Sequence, residues 1–309
     1  MQYLKDLTAR PRTERQNEIL IWIAVGIASL LLFFAGLSAS SAVFPRPKIG
    51  LIYVDRVISA SGMPIFSIPI RYALENEDIA AVVLVVDSPG GAAATSEELF
   101  YRMVDLRNEK PIVTSVNRLA ASGSYYMSVG TNYIYAKPAA LIGSVGVISG
   151  IPGSTGLSEF EATTGPFKGS GSTQVDWIRG LEAIKNSFVS NVYDQRLYIL
   201  ENYHRDSRAD LLPDKDHIAT GQVWPAPMAY DIGLIDAIGS DLDAIAKAAE
   251  LANIANYEVV DLTRLIFLDD GSIVFGADIP DGDIVLEEPD YIEEGPWPSF
   301  YHLYIPPED

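Results

Sequence analysis

The chain has 309 residues, 48% of them hydrophobic, with 24 glycines and 19 prolines, which suffices for one large domain or two small ones around a sizeable core. It contains no cysteine, so a disulfide framework, a thiolate metal site and a cysteine nucleophile are all excluded. The formal charge of −19 is concentrated at the carboxyl end: no Lys or Arg follows Arg264, 12 acids lie from Asp269 to Asp309, and the remainder holds 29 acids against 22 bases without a basic stripe to meet the phosphates of nucleic acid.

The amino end is basic and then apolar. Lys5, Arg10, Arg12 and Arg15 precede a run from Ile19 to Val43 that carries no charge, long enough to cross a hydrocarbon core of ~30 Å at ~1.5 Å per helical residue. Ser40 to Ala42 would suit a signal peptidase, but the run exceeds the ~7–15 apolar residues of a cleaved signal, so it reads as a retained anchor. Only Arg46 and Lys48 follow closely, and the basic bias predicts residues 1–18 in the cytoplasm, a span over 19–43 in the cell membrane, and an extracytoplasmic domain from Phe44 onward.

Beyond the span the pattern alternates. Residues 48–58 (KIGLIYVDRVI), 79–88 (IAAVVLVVDS), 111–116 (PIVTSV) and 132–136 (NYIYA) are short, β-branched and bounded by Pro, Gly or Asp, as buried strands are. Between the second and third, residues 95–110 predict a helix capped by Thr95 or Ser96, with Leu99, Met103 and Leu106 on one face. Strand, helix, strand in that order predicts an α/β fold with a parallel sheet, right-handed crossovers and helical cover. Further helices are expected over about 173–203 and 241–254. The tail from 265 to 309 sets Pro, Gly and acids around short apolar pairs and reads as an extended arm beyond a domain spanning 44–264.

Two glycine-rich places carry the chemistry. Asp-Ser-Pro-Gly-Gly at residues 87–91 ends a strand and opens a helix, so its backbone N–H groups are available to an anion, although a plain strand-to-helix turn has the same composition. In AASGSYYM the small neighbours of Ser122 admit another chain, and the N–H of Gly123 follows directly. If both places meet at the carboxyl ends of adjacent strands, the serine stands beside an oxyanion hole. A serine needs a base. His204, His217 and His302 lie in a charged helix end, an acidic loop and the tail, and no Gly-x-Ser-x-Gly elbow is present. A lysine held neutral in a dry pocket can replace histidine. Among eight lysines, Lys168 in TTGPFKGSGS has small and apolar neighbours, though an exposed loop lysine would look alike.

The ordered set ALENEDIAAVVLVVDSPGGAAATSEEL, AASGSYY, LIGSVGVISG, FKGSGS, FVSNVYDQR and GQVWPAPMAYDIGLIDAIG resembles, over about residues 49–240, the signal peptide peptidase A family of Ser–Lys serine proteases. The resemblance implies a Clp protease/crotonase-like fold and a membrane-anchored endopeptidase that degrades spent signal peptides and other hydrophobic peptides. It implies Ser122 as nucleophile, Lys168 as general base, Ser144 as the hydroxyl that holds the lysine, and Gly90, Gly91 and Gly123 as oxyanion donors. It implies no metal or cofactor, and a homo-oligomer. Two departures stand out: Ser124 replaces a commonly found glycine, which is expected to narrow the pocket, and GPFKGSGS stands where Gly-Lys-Tyr-Lys is frequent. Crotonase-type enzymes acting on coenzyme A thioesters, and a catalytically inactive membrane scaffold, are the competing classes. The first needs neither the lysine nor the span, and the second would keep Ser122 and Lys168 only by chance.

Overall fold

The computed structural model describes residues 12–43, 46–150, 171–204, 207–267 and 301–303, and divides into Met1–Arg46 and Pro47–Asp309. The first unit contains helix α1 (Arg12–Val43), whose stretch Asn17–Phe34 is long and apolar enough to cross a membrane and is wholly exposed. In chain order the second unit runs β1 (Lys48–Val54), α2 (Met63–Glu75), β2 (Ile79–Ser88), β3 (Gly90–Ala92), α3 (Ala93–Glu109), β4 (Ile112–Ala121), α4 (Gly123–Ser128), β5 (Tyr133–Ala136), β6 (Leu141–Gly143) and α5 (Gln174–Asn202). It continues with α6 (Lys215–Ile218), β7 (Val223–Pro225), α7 (Ala226–Asp231), β8 (Ala237–Ile238), α8 (Asp241–Leu251), β9 (Glu258–Asp261), α9 (Leu262–Ile266) and β10 (Tyr301–Leu303).

The main sheet has the order β7-β6-β4-β2-β1-β9, with β5 also on β4 and β8 beside β5. Every described pairing in it is parallel except β6 with β7. Both faces are covered, as a parallel sheet requires. Successive residues of β2 point to opposite faces: Val82, Leu84 and Val86 join the large core with α2, α3 and α4, whereas Ala81, Val83 and Val85 meet Ala244, Ala248 and Ala249 of α8. The α/β class with a parallel sheet and helical cover is therefore the observed architecture.

Local differences from the sequence reading have physical causes. The first strand stops at Val54, and only Ile58 of the remaining predicted stretch re-enters a bridge, to Gly91. Helix α3 starts at Ala93 directly off β3, so neither Thr95 nor Ser96 caps it; the Ser96 hydroxyl instead donates to the Ala92 carbonyl one turn back, at 2.9 Å. Helix α2 escapes the sequence reading because it carries Pro64 in its first turn and Pro69 in its interior, where proline removes a backbone donor. Ile266 and Phe267 are buried in the core, so the folded domain runs slightly past residue 265. The apolar tail residues Ile273, Val274, Phe275, Ile284, Val285 and Leu286 lie outside the described residues.

One buried ionic group fixes α5 to the sheet. Arg196, with no exposed surface, gives Nη1 and Nη2 to the Asp236 carboxylate at 2.9 and 2.8 Å and Nε to the Gly233 carbonyl at 2.9 Å. His204 Nε2 lies 2.7 Å from the same carboxylate, which also accepts the Ile134 N–H at 2.7 Å. Burial alone would raise the Asp236 pKa, but the Arg196 charge and the hydrogen bonds from His204 and Arg196 outweigh it and hold the carboxyl at about 2. Replacing Arg196 by Met is expected to remove ~3–5 kcal/mol of unfolding free energy, read as a lower urea midpoint at constant slope, because a buried carboxylate is left unpaired. The sign with pH follows: an unfolded aspartate has a pKa of ~3.9, so this stabilisation is complete above that value and is lost as pH falls from it towards about 2.

Candidate active site

The two glycine-rich places do meet. Strands β2 and β4 lie side by side in parallel, with Ser88 opposite Ala120, so residues 89–91 and 122–123 leave the same end of the sheet. At that end β4 has a different neighbour from the one at its start: Val113–Val116 pair with β5, and Leu119–Ala121 pair with β6. Ala121 is opposite Gly143, which places Gly143–Ser144 alongside Ala121–Ser122. The Ser122 N–H donates to the Gly143 carbonyl at 2.7 Å, and the Ser144 N–H donates to the Gln222 carbonyl at 2.7 Å.

The backbone is strained here. Ser122 has φ 55° and ψ −120°, and Ser144 has φ 53°. Non-glycine residues in such regions cost ~1–3 kcal/mol each and persist where the surroundings over-determine them. Gly143 adopts φ 115°, and a Cβ there would lie 2.6 Å from the Trp224 ring, so no other residue fits. Tyr125 and Tyr126 seat α4 in the core: the Tyr125 hydroxyl donates to the Leu234 carbonyl at 2.7 Å, and the Tyr126 ring stacks on Phe100. Burial pushes both phenols well above their ordinary pKa, so they are neutral donors.

Strand β3 forms the second wall. The Ile58 N–H donates to the Gly90 carbonyl at 2.8 Å, and the Ala92 N–H donates to the Ile58 carbonyl at 2.7 Å. A Cβ on Gly91 would sit 1.8 Å from the Ile58 carbonyl oxygen, so this close approach demands glycine. Because Gly90 and Ala92 serve Ile58, the N–H and C=O of Gly91 face the opposite edge. There β10 runs antiparallel, with Leu303 opposite Gly90, His302 opposite Gly91 and Tyr301 opposite Ala92. The Gly90 N–H already donates to Ser88 Oγ at 3.2 Å, and that hydroxyl donates to the Arg56 carbonyl at 2.7 Å.

Of the residues singled out in the sequence, the fold brings together Ser122, Gly123, Ser144, Gly90 and Gly91, while Lys168 lies outside the described residues. Ser122 is not bare: it is 1% exposed, and Ser144 8%. Ser124 does not narrow a pocket either. Wholly buried, its Oγ accepts the Ala121 N–H at 2.9 Å and donates to the Ser88 carbonyl at 2.7 Å, tying the end of β4 to the end of β2. Ile58, Ser88, Gly143 and Trp224 also shape the site, and sequence reasoning does not single them out. Only the glycine of LIGS offers a signal, and a three-residue strand is too short for periodicity to find.

His204 and the described lysines are engaged elsewhere. His204 is bound to Asp236, and His217 stacks near Trp224. Lys48, Lys137, Lys185, Lys215 and Lys247 pair with Asp78, Asp241, Glu182, Asp194 and Glu250. Lys110, its pKa lowered by burial, donates to the Ala73 and Asn76 carbonyls at the end of α2. Replacing Ser124 by Ala leaves the buried Ser88 carbonyl and Ala121 N–H short of a partner, and is expected to cost ~1–3 kcal/mol, measured by urea unfolding beside the wild type.

The model of the family named Peptidase family S49 matches residues 104–255. A Methanocaldococcus jannaschii protein named as a putative protease is 31% identical over 196 residues, covering 61% of this chain and 61% of its own. Protease 4 of Salmonella typhi is 33% identical over 197 residues, covering 62% of this chain and 31% of its own. The chain thus spans from about a third to three fifths of the length of these relatives. Among solved structures, a mutant of the 1510-N membrane-bound stomatin-specific protease aligns with TM-score 0.49 and 17% identity, over 70% of this chain and 97% of that one. The segment that matches peptidase family S49 contains β4, the Ser122 turn and the Gly143–Ser144 strand end.

Proposed function

We propose that this protein is a membrane-anchored serine endopeptidase that cleaves hydrophobic peptides, spent signal peptides among them, through a Ser122–Lys168 dyad. The observation that carries this reading is the Ser122 turn: a non-glycine residue in strained backbone, at the carboxyl end of a central strand, beside Gly90–Gly91 on one side and Gly143–Ser144 on the other. The match to peptidase family S49 supports the peptidase class. Lys168 is taken as the base from the family resemblance, and the partners of the six described lysines are compatible with it.

In the proposed reaction a peptide lies along the outer edge of β3, main chain to main chain. Its scissile carbonyl takes the N–H groups of Gly91 and Gly123. Gly90 is the weaker donor of the pair, because its N–H is on Ser88 Oγ. Neutral Lys168 accepts the Ser122 proton as Oγ attacks the carbonyl carbon, Ser144 helps hold the amine, and the ammonium then protonates the departing amine nitrogen. Water, deprotonated by the same lysine, releases the acyl group and restores Ser122.

The span and the domain boundaries follow the same proposal: a cytoplasmic segment 1–18, an anchor 19–43, the extracytoplasmic peptidase domain, carried by the buried Ile266 and Phe267 a few residues past 264, and the acidic arm beyond it. Assembly into a homo-oligomer is supported by α5, which is buried only from Phe188 onward and leaves Val175 and Ile178 58% and 47% exposed on its first half.

Substituting Ala for Ser122 or for Lys168 is expected to abolish hydrolysis of an apolar peptide with the far-UV spectrum unchanged, while EDTA leaves the wild type active; turnover by either variant defeats the dyad. Log activity should rise with unit slope to an apparent pKa well below the ~10.4 of a free lysine, so a flat profile between about pH 6 and 9 argues against a lysine base. For orientation, protease added to intact cells is expected to digest the domain beyond Phe44; protection until the membrane is opened reverses the topology.

A further inference from the structure

The edge of β3 that the proposed reaction assigns to a peptide already carries one. Strand β10, from the chain's own carboxyl arm, pairs there antiparallel, and it also packs against α3 and against α4, the helix that begins at Gly123. Its register is informative. In an antiparallel ladder, residues alternate between pairs that exchange both hydrogen bonds and pairs that exchange none. Gly90 and Ala92 spend theirs on Ile58, so Gly91 with His302 is the pair that exchanges bonds. The carbonyl of His302 therefore meets the N–H of Gly91, the same N–H that would hold the oxyanion of a substrate.

We infer that Tyr301–Leu303 is a cis-acting occupant of the peptide-binding edge, which competes with incoming peptides for Gly91 and holds the site covered between turnovers. Three observations converge on this occupant. The strand is held through backbone in the manner of an added β-strand, which is how extended peptides bind sheet edges. It touches both walls of the site, β3 and α4. With it in place Ser122 is only 1% exposed. The strand is joined to the domain by the 33 residues between Phe267 and Tyr301, so the occupant stays at high local concentration. If the effective concentration is of order 1 mM and the strand binds with Kd of order 0.1 mM, apparent KM is raised ~10-fold.

The inference rests on the peptidase reading for its competition, but not for the pairing itself, and the experiment separates the two. Three chains are compared in detergent: wild type, a deletion of residues 297–309, and His302→Pro, which removes the one N–H that β10 gives to Gly91 without shortening the chain. With a fluorogenic apolar peptide, apparent KM is expected to fall ~10-fold in both variants with kcat little changed, and a synthetic peptide of residues 297–307 should restore the higher KM to the deletion as a competitive inhibitor. Amide hydrogen exchange is measured in the Ser122→Ala background, where the arm stays intact. Gly91 should be protected in the full chain and exchange rapidly in both variants, while Ala92, bonded to the Ile58 carbonyl at 2.7 Å, stays protected in all three. Equal Gly91 exchange in all three chains overturns the occupant. Released Gly91 with unchanged KM overturns the competition. Absence of hydrolysis by every chain defeats the peptidase reading instead, and the occupant then stands or falls on Gly91 exchange alone.

Discussion

Strand β4 has two different neighbours along one edge, and the site depends on that change. Its first half lies beside β5 and its last three residues beside β6, so the sheet divides where β4 ends. β4 ends at Ala121 and α4 begins at Gly123, with one residue between them. The turn falls on the single residue Ser122, at φ 55°. Its N–H is fixed by the Gly143 carbonyl, and α4 is fixed by the buried Tyr125 and Tyr126 rings. The strain of ~1–3 kcal/mol is thus carried by a core that has no easier arrangement.

The same logic explains why small residues gather here. Gly91 is forced by the Ile58 carbonyl, Gly143 by the Trp224 ring and its own positive φ. Where a side chain is present, as at Ser124, it is one that can replace a backbone partner. The Ser124 hydroxyl links the ends of β2 and β4, which a glycine could not do, so this departure from the family pattern trades backbone freedom for a fixed spacing between Gly90–Gly91 and Ser122. The glycine-rich composition of the site is a record of close approaches, and the edge beyond Gly91 is the face it leaves for another chain.

Much of this is legible in the sequence where one physical signal dominates. Strand β2 is a continuous apolar run whose ends, residues 79 and 88, are read directly; α5 and α8 follow caps at Thr173 and Ser240 and lie within a few residues of their expected bounds. Asp-Ser-Pro-Gly-Gly and Ala-Ser-Gly announce two turns, but their meeting depends on β2 and β4 being neighbours, which only the pairing establishes. Competing signals hide the rest. Two prolines disguise α2, and β6, β7 and β8 have two or three residues each, below any period. The small neighbours of Ser122 suggest an open serine, yet small side chains also let other chains come near, and that is what buries it. Nothing in Tyr-His-Leu marks a strand, because β10 is specified by the vacant edge it joins and not by its own propensity.

That last point bears on how firmly the arm is held. A three-residue strand supplies one bond-exchanging pair, and a hydrogen bond contributes ~0.5–1.5 kcal/mol net. Such a contact is reversible, and at the concentration a tether imposes it covers the site and competes with incoming peptides. The arm's charge points the same way. With 12 acids and no base after Arg264, the tail gains little from collapse on a domain that is itself slightly acidic, so its approach to β3 has to be driven by backbone pairing and local packing. Backbone pairing is also what any extended peptide offers. An edge that accepts this strand on those terms therefore recognises extended chain first and side chains second, which is what the proposed cleavage of many different apolar peptides would require.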